Sequence, residues 1–410
     1  MTDLLESSAV PFAPLIGVAP LMRRAFLKQD LAPLAAVLVK RAQDNPDDAN
    51  AYLDCSTVLQ LSGEREIALE VQAQAIAINP LYSLPARRTP QLRLLVVMGP
   101  GDLMANTPIE FLLEDGDVDL TLLYLTLDTD WPENVPDHDV MLVAVAESDA
   151  NRPLLERLFG IAGMWPRPVV NLPEHIAILS RDGVCAALAG IPGVAMPVTA
   201  RIDRTSLQAL GDNGTGLDVI LPGDSFPLIV RPIGSHAGQN LERMAAPAEI
   251  AGYLERVGGD RFYVSRFVDY RSADGLFRKY RIALIEGRAF VCHFAVSAHW
   301  MIHYLNAGMS ESAEKRAEEA ECMAHFDEQF ASRHATALRA IDARMGLPYV
   351  GIDCAETMDG ELLIFEVDNA MIVHAMDDEV MYPYKKPAMQ KVFNAFRQML
   401  ENARQAGSLA

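Results

Sequence analysis

The chain has 410 residues, half of them apolar and 22% charged, which is enough for two or three domains with buried cores. Its formal net charge of −20 speaks against a nucleic-acid surface, which needs clustered Lys and Arg, but leaves room for a nucleotide in a local pocket of arginines. No apolar run reaches the roughly 18–20 residues of a membrane span, the N-terminus opens acidic, and the five scattered cysteines include no CxxC pair, so a reduced, cytoplasmic protein is expected.

Residues 1–90 read as a helical part. Asp30–Asp44 carries apolar residues at helical spacing, Asn45-Pro46-Asp47-Asp48 stops it and supplies caps, and Ala51–Leu61 and Glu64–Ile78 flank a Ser62-Gly63 turn. Pro46 and Pro80 lie 34 residues apart, and Tyr52, Ala68 and Ala75 fall where tetratricopeptide repeats carry an aromatic and two small residues. The segment resembles such a repeat, with Cys55-Ser56 in place of the usual Leu-Gly. One and a half copies are too few to stand alone, so a packing cap and a peptide-binding role both stay open.

From about residue 91 the pattern becomes α/β. Leu92–Met98 is a continuous apolar run ending in Gly99-Pro100-Gly101, as a buried parallel strand does, and Leu120–Leu127 and Val140–Val145 repeat its character. With helices at about 103–114 and 151–159, residues 91–170 predict a small doubly wound domain. No GxGxxG follows, so the glycines read as a turn.

Residues 171–395 alternate strands and helices with more antiparallel character, and 396–410 hold the end of the last helix and a tail. Strands are expected at Pro227–Pro232, Arg261–Phe267, Tyr280–Ile285, Ala289–Val296, Tyr349–Glu356 and Glu361–Val367. An acidic helix is expected over Ser310–Met345 and a closing one over Lys386–Arg404, with Lys385-Lys386 as a solvated surface pair.

Chemistry concentrates in YVGIDCAETMDGELLIFEVDNA. Two strands joined by Met358-Asp359-Gly360 predict a hairpin; Glu366 and Asp368, two apart, share a face, and Asp353 falls across from them. Three carboxylates among apolar strands repel unless cations neutralise them, and Mg²⁺ with a polyphosphate is the natural occupant. Upstream, PLIVRPIGSHAGQN delivers Arg231 on a strand before a loop with Gly234, Ser235, His236 and Gly238, whose backbone N–H groups suit a phosphate.

Taken together and in this order, these motifs resemble the ATP-grasp superfamily, in the branch of RimK-like ligases, glutathione synthetase and D-alanine–D-alanine ligase. The resemblance covers about residues 93–385 and implies an α/β ATP-grasp fold preceded by the short helical part. It implies Asp353, Glu366 and Asp368 as ligands of Mg²⁺ or Mn²⁺, with Asp368-Asn369 where the family has Asn. It implies Arg231 and the glycine loop on ATP phosphates, and Ser265, Arg266, Phe267 and Val268 as the adenine hinge. Lys279-Tyr280-Arg281 is similar to the family's Asp-x-Arg strand, giving Arg281 the γ-phosphate or acyl-phosphate oxygen. The family's first phosphate lysine is absent, because Asp182 is followed by Gly183, and Arg181 is the nearest substitute.

The stretch VSAHWMIHYLNAGM lies where the ligase branch faces its acceptor. It offers His299, His303 and Asn306, and a helix would stack the two histidines. Substrate or phosphate contacts, a metal pair and structural histidines are the alternatives there. The implied activity is ATP-dependent ligation of a carboxylate to an amine, on small-molecule or peptide substrates, through an acyl phosphate. A homodimer is the candidate assembly, with no nucleic-acid or membrane partner. An ATP-grasp kinase and a non-catalytic nucleotide-binding scaffold are the rival readings.

Overall fold

The computed structural model describes residues 12–129, 131–132, 134–213, 216–235 and 238–407. Helices α1 (Val18–Phe26), α2 (Ala32–Asp44), α3 (Ala49–Leu61) and α4 (Arg65–Ile78) come first. Asp48 caps α3, its carboxylate accepting from the Ala51 N–H at 3.0 Å, as the Asn-Pro-Asp-Asp stop predicts. Among the described residues no helix is long and apolar enough to cross a membrane.

The chain then enters strands: β1 (Leu81–Leu84), β2 (Leu92–Met98), β3 (Val118–Tyr124), β4 (Val140–Val143) and β5 (Val169–Val170). They form one sheet in the order β1-β3-β2-β4-β5. β2 to β5 are parallel, and β1 joins antiparallel at the edge, inside the stretch read as helical. The helix expected at 103–114 shrinks to Ile109–Leu112. Asn106 exchanges two 2.8 Å hydrogen bonds with the Gly99 backbone, and the Thr107 N–H donates to the Ala144 carbonyl, so the preceding residues are drawn toward the sheet.

A second sheet follows from β6 (Val194–Ala195), β7 (Thr199–Asp203), β8 (Leu228–Pro232), β9 (Glu242–Met244) and β10 (Arg261–Arg266). Its order is β7-β10-β8-β9, all antiparallel, while β6 goes elsewhere. The third sheet takes β11 (Phe277–Ile285), β12 (Arg288–Ser297), β13 (Tyr349–Glu356) and β14 (Leu362–Asp368) in the order β12-β11-β13-β14-β6. The short strands β1, β5, β6, β7 and β9 escape sequence reading because two to five residues carry too little periodicity.

Two expectations for the C-terminal half are corrected. The single helix over Ser310–Met345 is broken into Ala313–Ala324, a π-helical turn at Asp327–Ala331, and Ala335–Met345. Phe330, in the π turn, packs beside both Phe326 and Tyr280, with ring centroids 5.2 and 4.2 Å away. Lys385 is not a solvated residue. It is buried at the start of the last helix, Lys385–Gly407, near Glu319 and Asp377, with its ammonium 3.8 Å from the Tyr304 ring centre. Only Lys386 is exposed, paired with Glu379.

The helical part is welded to the first sheet. The buried Asp54 carboxylate accepts from the Ile16 and Gly17 N–H groups at 2.9 and 3.0 Å, and Glu110, beside the sheet, accepts from the Ala19 N–H at 3.0 Å. Gly17 has φ +89°, and a Cβ there would stand 2.5 Å from a Glu110 oxygen, so only glycine allows this approach. Gln72 holds the Gly101 backbone through both its amide groups. Deleting residues 1–88 removes β1 and strips the partners from Glu110 and Phe111, so the truncated protein is expected to be insoluble or to lose cooperative melting by circular dichroism. A soluble truncation with an unchanged melting temperature would contradict that packing role.

Candidate active site

A cavity of about 340 Å³ lies between the second and third sheets. From the second come Ile229 and Arg231 on β8 and Tyr263, Ser265 and Arg266 on β10; from the third come Lys279 and Arg281 on β11, Asp353 on β13, and Glu366 and Asp368 on β14. The carboxylates arrive as the hairpin predicts. Asp353 pairs directly with Glu366, and Arg281 pairs directly with Asp353, so one row of side chains crosses β11, β13 and β14 on a single face.

The electrostatics of the row follow from burial. Arg281 grips Asp353 with two hydrogen bonds, 2.8 Å from Nε and 3.0 Å from Nη2, and the Lys279 Nζ stands 2.6 Å from the same carboxylate. Burial would raise the Asp353 pKa, but these two cations hold it well below the usual carboxylate range. Glu366 is salt-bridged to Arg181, whose other nitrogen donates to the Phe365 carbonyl at 2.9 Å. Burial opposes its ionisation too, yet Arg181 and Arg231 lower its pKa. Asp368 lacks an arginine partner; burial and the neighbouring Glu366 push it up to about 7.

These contacts test the expected metal set. Among the described residues no three His, Cys, Asp or Glu side chains gather as metal ligands. Both Asp353 oxygens are engaged by Arg281 and Lys279, whereas Glu366 and Asp368 crowd two desolvated carboxylates on one face and suit a divalent cation that completes its shell with phosphate oxygens. The residues fit such an ion through this pair, with Asp353 set apart.

Arg231 carries a different signal. Its buried guanidinium has no ion-pair partner among the described residues. Nε donates to Ser235 Oγ at 3.0 Å and Nη2 donates to the Ser235 carbonyl, so the side chain ties its own loop down. Burial, reinforced by Arg181, brings its pKa down to about 10. Gly238 lines the cavity at φ +74°, and a Cβ there would lie 2.9 Å from Met301 Sδ, so only glycine packs this closely on Met301. Gly234 and Ser235 do not line the cavity, and His236 lies outside the described residues.

The other expected residues divide. Ser265, Arg266, Phe267 and Val268 line the cavity, although the Phe267 N–H is spent on the Pro227 carbonyl at 3.0 Å. The helix expected to stack His299 on His303 is absent. Residues 298–303 are irregular and lead into a single 3₁₀ turn, Tyr304–Asn306. Tyr270 donates to the Trp300 carbonyl and Lys279 donates to the Ile302 carbonyl at 3.3 Å, which claims backbone groups a helix would need. His303 lines the cavity and His299 is exposed outside it. Asn306 closes the turn on the His303 N–H at 2.9 Å. Asn369 points away, donating to the Val145 carbonyl at 3.1 Å and fixing the first sheet to the end of β14.

Sequence reading named Lys279 only within Lys279-Tyr280-Arg281 and gave it no role, although its place two residues before Arg281 on one strand puts both on one face. It also gave no role to Tyr263, Trp300, Met371 and Ile372, which meet only in the fold.

No protein-family model matches the chain, and no curated protein matches it. Among solved structures it is similar to D-alanine–D-alanine ligase from Bacillus anthracis complexed with ATP, at 14% identity and a TM-score of 0.47 over 77% of this chain and 99% of that one. It is similar to VanG D-Ala:D-Ser ligase from Enterococcus faecalis, at 13% identity and a TM-score of 0.48 over 76% and 100%. A RimK domain ATP-grasp protein from Sphaerobacter thermophilus matches at 14% identity and a TM-score of 0.43 over 75% and 99%.

Proposed function

We propose that this chain is an ATP-dependent ligase that activates a carboxylate as an acyl phosphate and joins it to an amine. One observation carries the reading: Arg231, a buried arginine without an acid partner among the described residues, faces a cavity whose other wall bears Glu366 and Asp368. A buried cation on one side and surplus carboxylate on the other are both neutralised by one occupant, a polyphosphate carrying a divalent cation. The neighbouring apolar wall of Ile229, Phe267, Val268 and Leu363 suits a purine.

The residues divide the work by position. Mg²⁺ or Mn²⁺ would be held by Glu366 and Asp368, and when bound it neutralises phosphate oxygens. Arg231 and Arg181 both line the cavity and would supply positive charge to the phosphates. Asp353 aims Arg281 and Lys279, and Arg281 holds the oxygen of the transferred phosphoryl group next to the carboxylate it activates. Gly238, packed on Met301 at the cavity wall, helps to keep water from the acyl phosphate.

Incubating the full-length protein with ATP, Mg²⁺ and an amino-acid and peptide pool, and searching the products by mass spectrometry, tests this. ADP with a condensed product is the expected result. A phosphorylated product without condensation marks a kinase, and absence of nucleotide binding marks a scaffold. Within the same assay, Arg231→Ala removes a charged hydrogen-bonding group worth about 1.5–3 kcal/mol, a roughly ten- to hundredfold loss in ATP affinity or turnover. Arg231→Lys keeps the charge without the planar fork and is expected to fall between the two. Titration calorimetry of the three proteins with ATP and Mg²⁺ checks it, and unchanged binding by Arg231→Ala would remove Arg231 from the nucleotide site.

A further inference from the structure

Lys279 and Arg281 stand two apart on β11, on the side of Asp353 away from Glu366 and Asp368. Arg281 meets Asp353 through two hydrogen bonds, and the Lys279 Nζ lies 2.6 Å from the same carboxylate. Two cations thus share one acid, which leaves one positive charge over at this end of the cavity. The cations also fix what surrounds them. Arg281 Nη1 donates to the Ile372 carbonyl at 3.2 Å, and Lys279 Nζ donates to the Ile302 carbonyl at 3.3 Å. Ile302, Met371 and Ile372 line the cavity, and Met104 lines it from the loop after β2. That loop abuts the same wall, since Leu103 and Ile372 both line a second cavity of about 50 Å³. His303, on the cavity wall, adds no charge: burial, then Lys279 and Arg281, push its pKa down, with Asp353 opposing. The acids lining the cavity are Asp353, Glu366 and Asp368, so among the described residues no further carboxylate stands at this end.

We propose that the acid activated here is a monocarboxylate with an apolar carbon chain and no free α-ammonium, its carboxylate beside Lys279 and Arg281 and its chain on Met104, Ile302, Met371 and Ile372. This rests on the ligase reading above and narrows its acid substrate. The one surplus positive charge matches one carboxylate. An α-ammonium would stand next to that carboxylate and against the same two cations, while both oxygens of Asp353 are already taken by them. A second carboxylate at the far end of the chain would be buried among apolar side chains with no cation left to meet it. An apolar chain gains from the same surroundings, and two unbranched methionines adapt to chains of more than one shape. A free apolar acid and the apolar C-terminal residue of a peptide share this chemistry, because a peptide bond removes the α-ammonium.

Hydroxylamine stands in for the unidentified amine and traps an acyl phosphate as a hydroxamate. The full-length protein is given ATP, Mg²⁺, hydroxylamine and one acid at a time, with hydroxamate read by mass spectrometry. From acetate through propionate and butyrate to pentanoate, kcat/KM is expected to rise roughly fourfold per added methylene. Norvaline adds only an α-ammonium to pentanoate, and glutarate only a second carboxylate; each is expected to fall about tenfold or more below it. N-acetylnorvaline masks the ammonium with an amide and is expected above norvaline. A rate above that of pentanoate marks a peptide end as the source, and a rate below it a free acid. Lys279→Met leaves Arg281 and Asp353 as a neutral pair, so the pentanoate-to-norvaline ratio is expected to shrink about tenfold. A general loss of structure would lower both rates without moving that ratio, and the melting temperature checks the fold. A flat series from acetate to pentanoate, or norvaline, glutarate or another free amino acid used as well as pentanoate, would overturn the proposal while leaving the ligase reading standing. Absence of hydroxamate and of ADP with every acid, the twenty amino acids included, would sink the ligase reading, and this proposal with it.

Discussion

Glu366→Gln is expected to abolish ATP-dependent turnover. Glu366 is the central carboxylate of the row: it pairs with Asp353 across β13, neighbours Asp368 on the same face, and balances Arg181 and Arg231. Glutamine keeps the shape and removes the charge. The buried Arg231, whose charge Arg181 already opposes, then loses the nearby anion, and the divalent cation loses one of the two carboxylates suited to hold it. Breaking a fully buried pair typically costs about 3–5 kcal/mol, an upper bound for Arg181–Glu366, whose side chains are 18% and 27% exposed. The measurement is ADP release alongside titration of Mn²⁺ with ATP, with circular dichroism to confirm folding. Full ADP release by a folded Glu366→Gln protein would end the assignment of the cation to this pair.

How far the sequence reaches can be judged from individual residues. The strands that carry the site are long, apolar and bounded by turn residues, so Tyr349–Glu356 and the Asp359-Gly360 hairpin could be placed with Asp353 opposite Glu366. What a strand pattern cannot give is the occupant of a side chain's other end. Asp353 looked like one of three equivalent acids; Lys279 and Arg281 engage it because β11, seventy residues earlier, lies alongside β13. The histidines failed for a related reason. His299 and His303 have helical spacing, but backbone carbonyls at Trp300 and Ile302 are held by side chains from Tyr270 and Lys279, so local propensity loses to tertiary hydrogen bonds.

The same geometry makes Asp353→Asn the substitution with the largest expected effect on stability. Asp353 is buried and neutralises two cations, each with most of its side chain out of water. Asparagine can still accept hydrogen bonds but leaves Arg281 and Lys279 as adjacent, uncompensated charges, a loss of about 3–5 kcal/mol by analogy with broken buried pairs. The sign with pH follows from the depressed pKa. The folded Asp353 binds its proton less readily than the unfolded one, so its contribution is present above the unfolded value of about 3.9 and is lost as pH falls toward the folded value. Urea denaturation should therefore separate the two proteins fully at pH 7 and progressively less below about pH 4. Adding Lys279→Met to Asp353→Asn should recover part of the loss, because the double variant buries one charge fewer, and the coupling from that cycle isolates the pair. Equal denaturation midpoints for Asp353→Asn and the unmutated protein at pH 7 would mean that Asp353 does not anchor these cations.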